Sequence, residues 1–150
     1  GECDQYGNVN VSKFGKKLIG PGGFIDITQS TNKVVFCGTF TGKSKLAVGD
    51  GKLTIVEEGT VKKFVDNVQQ ITFSGKYARP DQEVLYVTER CVFKLINGKM
   101  TIIEVAPGVS IEKDILPYMG FAPEIAPDVK EMDSALFCEK WGKLGESLDG

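Results

Sequence analysis

The sequence predicts a sheet-rich open α/β domain, and three observations carry that expectation. Short β-branched and aromatic runs recur along the chain, as at Lys33 to Phe40, Glu83 to Ile96 and Lys99 to Val105. Asp50-Gly51 and Asn97-Gly98 lie between such runs, where a two-residue hairpin needs residues that accept positive φ. Only two or three short stretches have helical character, which argues against a bundle. With 150 residues the chain is long enough for one domain that buries roughly two-thirds of its unfolded surface. The expected division is a main segment over 1–142 and a polar tail over 143–150.

Val9, Val11, Phe14, Leu18 and Ile19 open the apolar pattern, and Gly20-Pro21-Gly22-Gly23 interrupts it before Phe24-Ile25-Asp26-Ile27. Three glycines in four positions ask for a backbone that turns tightly or lets something approach closely. Two readings follow: an anion- or oxyanion-binding turn at the start of a short helix, or a plain tight loop. Lys33 to Phe40 reads as a buried strand in a sheet covered on both faces. Ser44 to Val48 and Lys52 to Val56 flank the Asp50-Gly51 hairpin, and Glu57-Glu58-Gly59 turns the chain again. Lys62 to Val65, Val68 and Ile71 to Phe73 read as extended pieces, with Lys62, Lys63, Asp66 and Gln69 on solvated faces.

Glu83 to Ile96 alternates only in part and breaks at Asn97-Gly98, a type I′ signal, before Lys99 to Val105. Ser110 caps an expected helix through Leu116, with Ile111, Ile115 and Leu116 on one face and acidic residues in the first turn. Pro117 limits or bends that helix. From Phe121 onward, Pro123 and Pro127 suggest an irregular segment wrapping the surface, followed by a short helix from Asp133 to Trp141.

Composition narrows the chemistry. There is no histidine, which removes Ser-His-Asp and Cys-His pairs, histidine bases and most zinc sites. Cys3, Cys37, Cys91 and Cys138 are widely spaced, with no CxxC, so neither a metal centre nor a redox dithiol is expected. Cys37 and Cys91 sit in apolar runs and read as small buried hydrophobes. A net charge of -2 offers no footprint for nucleic acid or an anionic membrane. No apolar run approaches the length of a membrane span, and a cytoplasmic protein with reduced thiols is expected.

An ordered set of segments resembles the C-terminal part of family I coenzyme A transferases, the acetate/propionate type in particular. They are Gly1-Glu2-Cys3-Asp4, Gly7 to Gly15, Gly20 to Ile27, Lys33 to Phe40, Gln70 to Gly75, Tyr86 to Phe93, and Glu104 to Gly108 leading to Glu112 through Leu116. The resemblance implies CoA transfer from an acyl-CoA to a short-chain carboxylate through a glutamyl-CoA thioester, with no metal. A carboxylate nucleophile is already ionised at neutral pH and needs no histidine. What remains is to stabilise oxyanions and exclude water. The resemblance makes Gly20-Pro21-Gly22-Gly23-Phe24 the family's GxGG turn, with the backbone of Gly22 or Gly23 as oxyanion donor and Gly20 and Phe24 in contact with CoA. Lys43 and Lys45 either meet phosphates of such a ligand or are solvated.

The family's nucleophilic glutamate lies upstream of the part that resembles residue 1 onward, and no counterpart of its motif is in this sequence. None of Glu2, Glu57, Glu58, Glu89 or Glu104 is expected to replace it. The first expectation is therefore a segment that is inactive alone, works with the upstream half or subunit, and forms a homo-oligomer when complete. The alternatives are a free-standing CoA-binding or interaction module of the same fold, or an inert product of a truncated gene.

Overall fold

The computed structural model describes residues 1–140. The expected tail over 143–150, and Trp141 of the last expected helix, lie outside the described residues. The centre is a mixed five-stranded sheet. Its strands are β1 (Lys33–Cys37), β4 (Glu83–Val87), β5 (Cys91–Ile96), β6 (Lys99–Val105) and β7 (Glu124–Glu131), in the spatial order β7-β6-β5-β4-β1. β2 (Lys45–Gly49) and β3 (Lys52–Glu57) form a separate hairpin. Both dipeptide hairpins are present: Asp50 and Gly51 have φ of 54° and 75°, Asn97 and Gly98 of 51° and 73°, as a type I′ turn requires.

β1 runs parallel to β4 through five consecutive pairs from Lys33↔Glu83 to Cys37↔Val87. One face of the sheet is fully packed. Val34, Val84, Tyr86, Phe93, Met100 and Ile102 meet Val9, Phe64 and Phe73 of an irregular layer built from the first residues and from 61–73. Rings interlock across this interface, with centroids of Phe36 and Phe73 5.2 Å apart and of Phe64 and Phe93 4.9 Å apart.

The opposite face is covered only in part, by Leu53, Met132 and Phe137 against Val92. Its far end carries Lys33, Glu83 and Lys94, where Glu83 pairs with both lysines at 2.7 and 3.1 Å. This corrects the expectation of a strand buried on both faces: β1 is an edge strand, Val35 is 45% exposed, and Cys37 is exposed rather than buried. Cys91, at the centre of the sheet, is fully buried as expected.

Four further differences are local. Glu83 to Ile96 is two strands, because the Thr88 hydroxyl accepts from the N–H groups of Arg90 and Cys91 and donates to the Cys91 carbonyl, closing a turn without glycine or proline. The segment after Phe121 is not irregular but forms β7, parallel to β6, with Pro127 tolerated at the sheet edge beside a register shift. After Ser110 the chain forms a single wide turn, Ile111–Ile115, followed by a 3₁₀ turn, Leu116–Tyr118, that contains Pro117. The Ser110 cap is real: its Oγ accepts from Lys113 N, and its own N–H donates to Asp114. The last expected helix is a short 3₁₀ turn, Ser134–Phe137, capped by Asp133.

Candidate active site

In open α/β sheets, ligands bind beyond the carboxyl ends of the parallel strands. Such a cleft, of about 340 Å³, lies beyond β1 and β4 and along the free edge of β1. Val35 to Thr39 and Val87 and Thr88 form one wall, and Gly1 to Cys3, Val9, Val11, Lys63 and Phe64 form the other. The helix α1 (Phe24–Ser30) is set against it by Phe24, whose ring stacks on Phe36 at 5.7 Å. At the other end of α1, Gln82 Nε2 donates to the carbonyls of Thr28 and Thr31, satisfying acceptors the helix leaves open. The helix is thereby held at both ends against the two parallel strands.

A buried ion cluster braces the wall beyond Thr88. Arg90 is completely buried and makes a two-pronged bond to Glu58, with both N–O distances 2.7 Å. It also donates to the Asp114 carbonyl at 2.9 Å and to Thr41 Oγ1 at 3.2 Å, and lies over the rings of Phe40 and Tyr118. Glu89 stands 3.4 Å from Arg90 Nε through Oε1, while its Oε2 accepts the Phe40 N–H at 2.8 Å. Withdrawal from water pushes the Glu58 carboxyl up, but bonds from Arg90, Thr41 and the Gly59 N–H outweigh it and hold it at about 2. The Glu58–Arg90 pair therefore stays charged at neutral pH, and the cluster fixes Phe40 next to the cleft residues Gly38 and Thr39.

Of the residues singled out from sequence, Phe24 lines the cleft. Gly20, Gly22 and Gly23 form the exposed turn that enters α1, not the cleft wall. Gly22 has φ of 56°, and a side chain at Gly20 or Gly22 would meet nothing within 4 Å, so the backbone of the turn is open to approach. The N–H groups of Gly22 and Gly23 have no hydrogen-bond partner among the described residues. Lys43 is exposed, in left-handed backbone (φ 67°), outside the cleft. Lys45 pairs with Glu57 on the surface hairpin.

Sequence reasoning missed Lys63, read as solvated, which among the described residues is the one cationic side chain lining the cleft. Its Nζ donates to Thr39 Oγ1 at 2.6 Å across the cleft mouth. Glu2, which also lines the cleft, is engaged by Asn10 Nδ2 and the Gln69 N–H, both at 2.8 Å. Cys3 and Cys37 line it too; burial pushes the Cys3 thiol up to about 12. Among the described residues, no group of three or more Cys, Asp or Glu is placed to hold a metal.

The chain is 60% identical over 149 residues to caffeate CoA-transferase of Acetobacterium woodii, a match covering 95% of this chain and 28% of that protein. It is 51% identical over 140 residues to acetate CoA-transferase YdiF of Escherichia coli O157:H7, covering 92% of this chain and 26% of that one. A crystal structure of YdiF as a thioester complex with CoA superposes with a TM-score of 0.88 over 92% of this chain and 27% of that chain. In sequence and fold nearly the whole of the chain is similar to part of these coenzyme A transferases. It spans about a quarter of the length of these CoA-transferases. Glutaconate CoA-transferase of Acidaminococcus fermentans shares the fold at 20% identity and a TM-score of 0.64, over 89% of this chain and 50% of that one. The decarboxylase AibA/AibB shares it at 18% and 0.61, over 87% of this chain and 47% of that one. No family model matches the chain.

Proposed function

We propose that the chain is the C-terminal segment of a family I CoA-transferase that exchanges CoA between an acyl-CoA and a short-chain carboxylate. The observation that carries this reading is the 51% identity, at a TM-score of 0.88, to a transferase crystallised as a thioester with CoA. The nucleophile is a glutamate outside this chain. Its carboxylate attacks the acyl-CoA carbonyl and expels the CoA thiolate, leaving a mixed anhydride. The thiolate then attacks the glutamyl carbonyl, releases the first carboxylate and forms the glutamyl-CoA thioester. The acceptor carboxylate reverses these steps, so no net proton transfer is required.

In this reading the free N–H groups of Gly22 and Gly23 receive the oxyanion, Gly20 and Phe24 border the CoA chain, and Lys43 reaches its phosphates. The acceptor enters the cleft beyond β1 and β4. The upstream half, or a separate subunit carrying it, closes the cleft along the free edge of β1, and the completed enzyme is a cytoplasmic homo-oligomer. The test mixes the purified chain with acetyl-CoA and propionate, with and without the complementary part of the enzyme. Exchange is expected only with both parts present. Turnover by the chain alone overturns the placement of the nucleophile, and CoA binding without exchange in the complete mixture favours a non-catalytic module.

A further inference from the structure

The loop that leaves the carboxyl end of β1, Gly38 to Lys43, is fastened to the fold on either side of Thr39 and Phe40. Gly38 N–H donates to the Val87 carbonyl at 3.1 Å, and Thr41-Gly42 pairs antiparallel with Val61-Lys62. Between those anchors, among the described residues, the backbone makes one hydrogen bond, from Phe40 N–H to Glu89 Oε2. That bond comes with a sacrifice. Glu89 Oε1 and Arg90 Nε are both buried and stand 3.4 Å apart, yet neither has a hydrogen-bond partner among the described residues. A buried donor and acceptor left unpaired are rare, because each has lost its water without a replacement. The carboxyl group is rigid and planar, so turning it to satisfy Nε would draw Oε2 away from Phe40. The arrangement favours the loop over the ion pair.

We propose that Glu89 is a positioning residue for CoA: it fixes the backbone of the loop and thereby places the ammonium of Lys43. Glu89 does not line the cleft, so any part it takes in binding runs through the loop. Strand pairing does not need it, since the β1–β4 register ends at Cys37↔Val87. Phe40 carries the constraint into the core, its ring fully buried between Phe64 at 5.1 Å and the Arg90 guanidinium at 4.9 Å. At the loop's end Lys43 sits in left-handed backbone, φ 67°. A residue with a Cβ stays there only where its surroundings over-determine it, and the direction in which its side chain leaves follows the backbone before it. The role rests on the CoA transfer proposed above, in which Lys43 reaches the phosphates.

The experiment compares two acyl donors in the complete mixture, acetyl-CoA and acetyl-pantetheine, which lacks the nucleotide and its phosphates, with propionate as acceptor. Glu89→Ala is expected to lower kcat/KM for acetyl-CoA by about tenfold, the worth of one charge-assisted contact, and that for acetyl-pantetheine by less than about threefold. Lys43→Ala is expected to show the same selective loss, and the double variant to lose no more than Lys43→Ala, because both act through one contact. Glu89→Gln keeps an oxygen for the Phe40 N–H and stays within about threefold of the unaltered enzyme on both donors. In the 150-residue chain alone, NMR amide signals from Thr39 to Lys43 are expected to shift in Glu89→Ala and to return in Glu89→Gln. Equal losses on the two donors, additive losses in the double variant, a Glu89→Gln enzyme as impaired as Glu89→Ala, or a Lys43 amide unmoved in Glu89→Ala each overturns the proposal. The two readings fail separately. A selective loss in Lys43→Ala with none in Glu89→Ala removes the positioning role and leaves the transferase; a complete mixture that never exchanges CoA, while the Lys43 amide still follows Glu89, removes the transferase and leaves Glu89 as the residue that places Lys43.

Discussion

Two cations at the same end of the sheet have opposite surroundings. Arg90 is fully buried, bonded twice to Glu58, once to a carbonyl and once to a hydroxyl, and flanked by two rings. Lys63 lines an open cleft and has one neutral partner. Thr88 and Thr39 line the cleft while Arg90 and Phe40, one or two residues on, belong to the closed cluster. The difference separates two uses of charge. A cation bonded on several sides inside the chain ties elements together, even with one buried nitrogen, Nε, left without a hydrogen bond; one with a single neutral partner at an open cleft is tied to the fold at one point.

The largest effect that tests this contrast is on stability. Arg90→Met leaves Glu58 and Glu89 without their counter-charge and cuts the ties to Thr41 and Asp114. Breaking a buried pair in this way costs about 3–5 kcal/mol. Because Glu58 keeps some solvent contact, the lower part of that range is expected. Lys63→Met removes one hydrogen bond at an accessible site and is expected to cost about 1 kcal/mol or less. Urea unfolding of both variants checks the pair, and equal losses erase the distinction.

What sequence made legible follows the same line. The Asp-Gly and Asn-Gly hairpins, the Gly-rich entry to α1 and the Ser110 cap were readable because one or two adjacent residues dictate each geometry. The Thr88–Arg90 turn was not, because Thr also favours strands and its hydroxyl decides the matter only once Cys91 is in place. β7 was hidden by Pro127, which an edge strand tolerates. Phe24, singled out for its place in the glycine motif, lines the cleft. Lys63 was missed because nothing local distinguishes it from Lys62; only the pairing of Cys3 with Phe64, with Cys3 N donating to Lys63 O, brings it into the cleft wall.

A smaller effect comes from acid. The folded Glu58 carboxyl sits at about 2 against an ordinary 4.5. A depressed carboxyl contributes stability that is fully present above its ordinary value and is lost as pH falls through the folded value. The urea midpoint of the unaltered chain should therefore fall steeply between about pH 4.5 and pH 2. Glu58→Gln should start lower at neutral pH and lack that part of the slope. Lys63→Met should keep it, since Lys63 has no carboxylate whose protonation it resists. A Glu58→Gln profile that still drops through this window would assign the acid sensitivity elsewhere and weaken the case for Arg90 as the closed member of the pair.

The smallest effect reads the contrast through the cysteines. Cys91 adjoins Arg90 and is fully buried, and burial pushes its thiol up to about 12, with the opposing influences of Glu89 and Arg90 secondary. Cys3 faces the cleft, yet its thiol is likewise raised to about 12 by burial. Cys37 lines the same cleft and is exposed. Because the thiolate is the reacting form, a thiol at about 12 presents roughly one part in ten thousand of it at pH 8. Brief iodoacetamide treatment at pH 8 followed by mass spectrometry should label Cys37 and the exposed Cys138 and spare Cys3 and Cys91. In Arg90→Met, labelling of Cys91 should appear while Cys3 stays protected, because the closed side opens and the cleft wall does not. Labelling of Cys3 as fast as Cys37 in the unaltered chain would mean that the wall carrying Lys63 opens freely, and the contrast with the Arg90 cluster would then lie in the opening of that wall and not in the partners of the two charges.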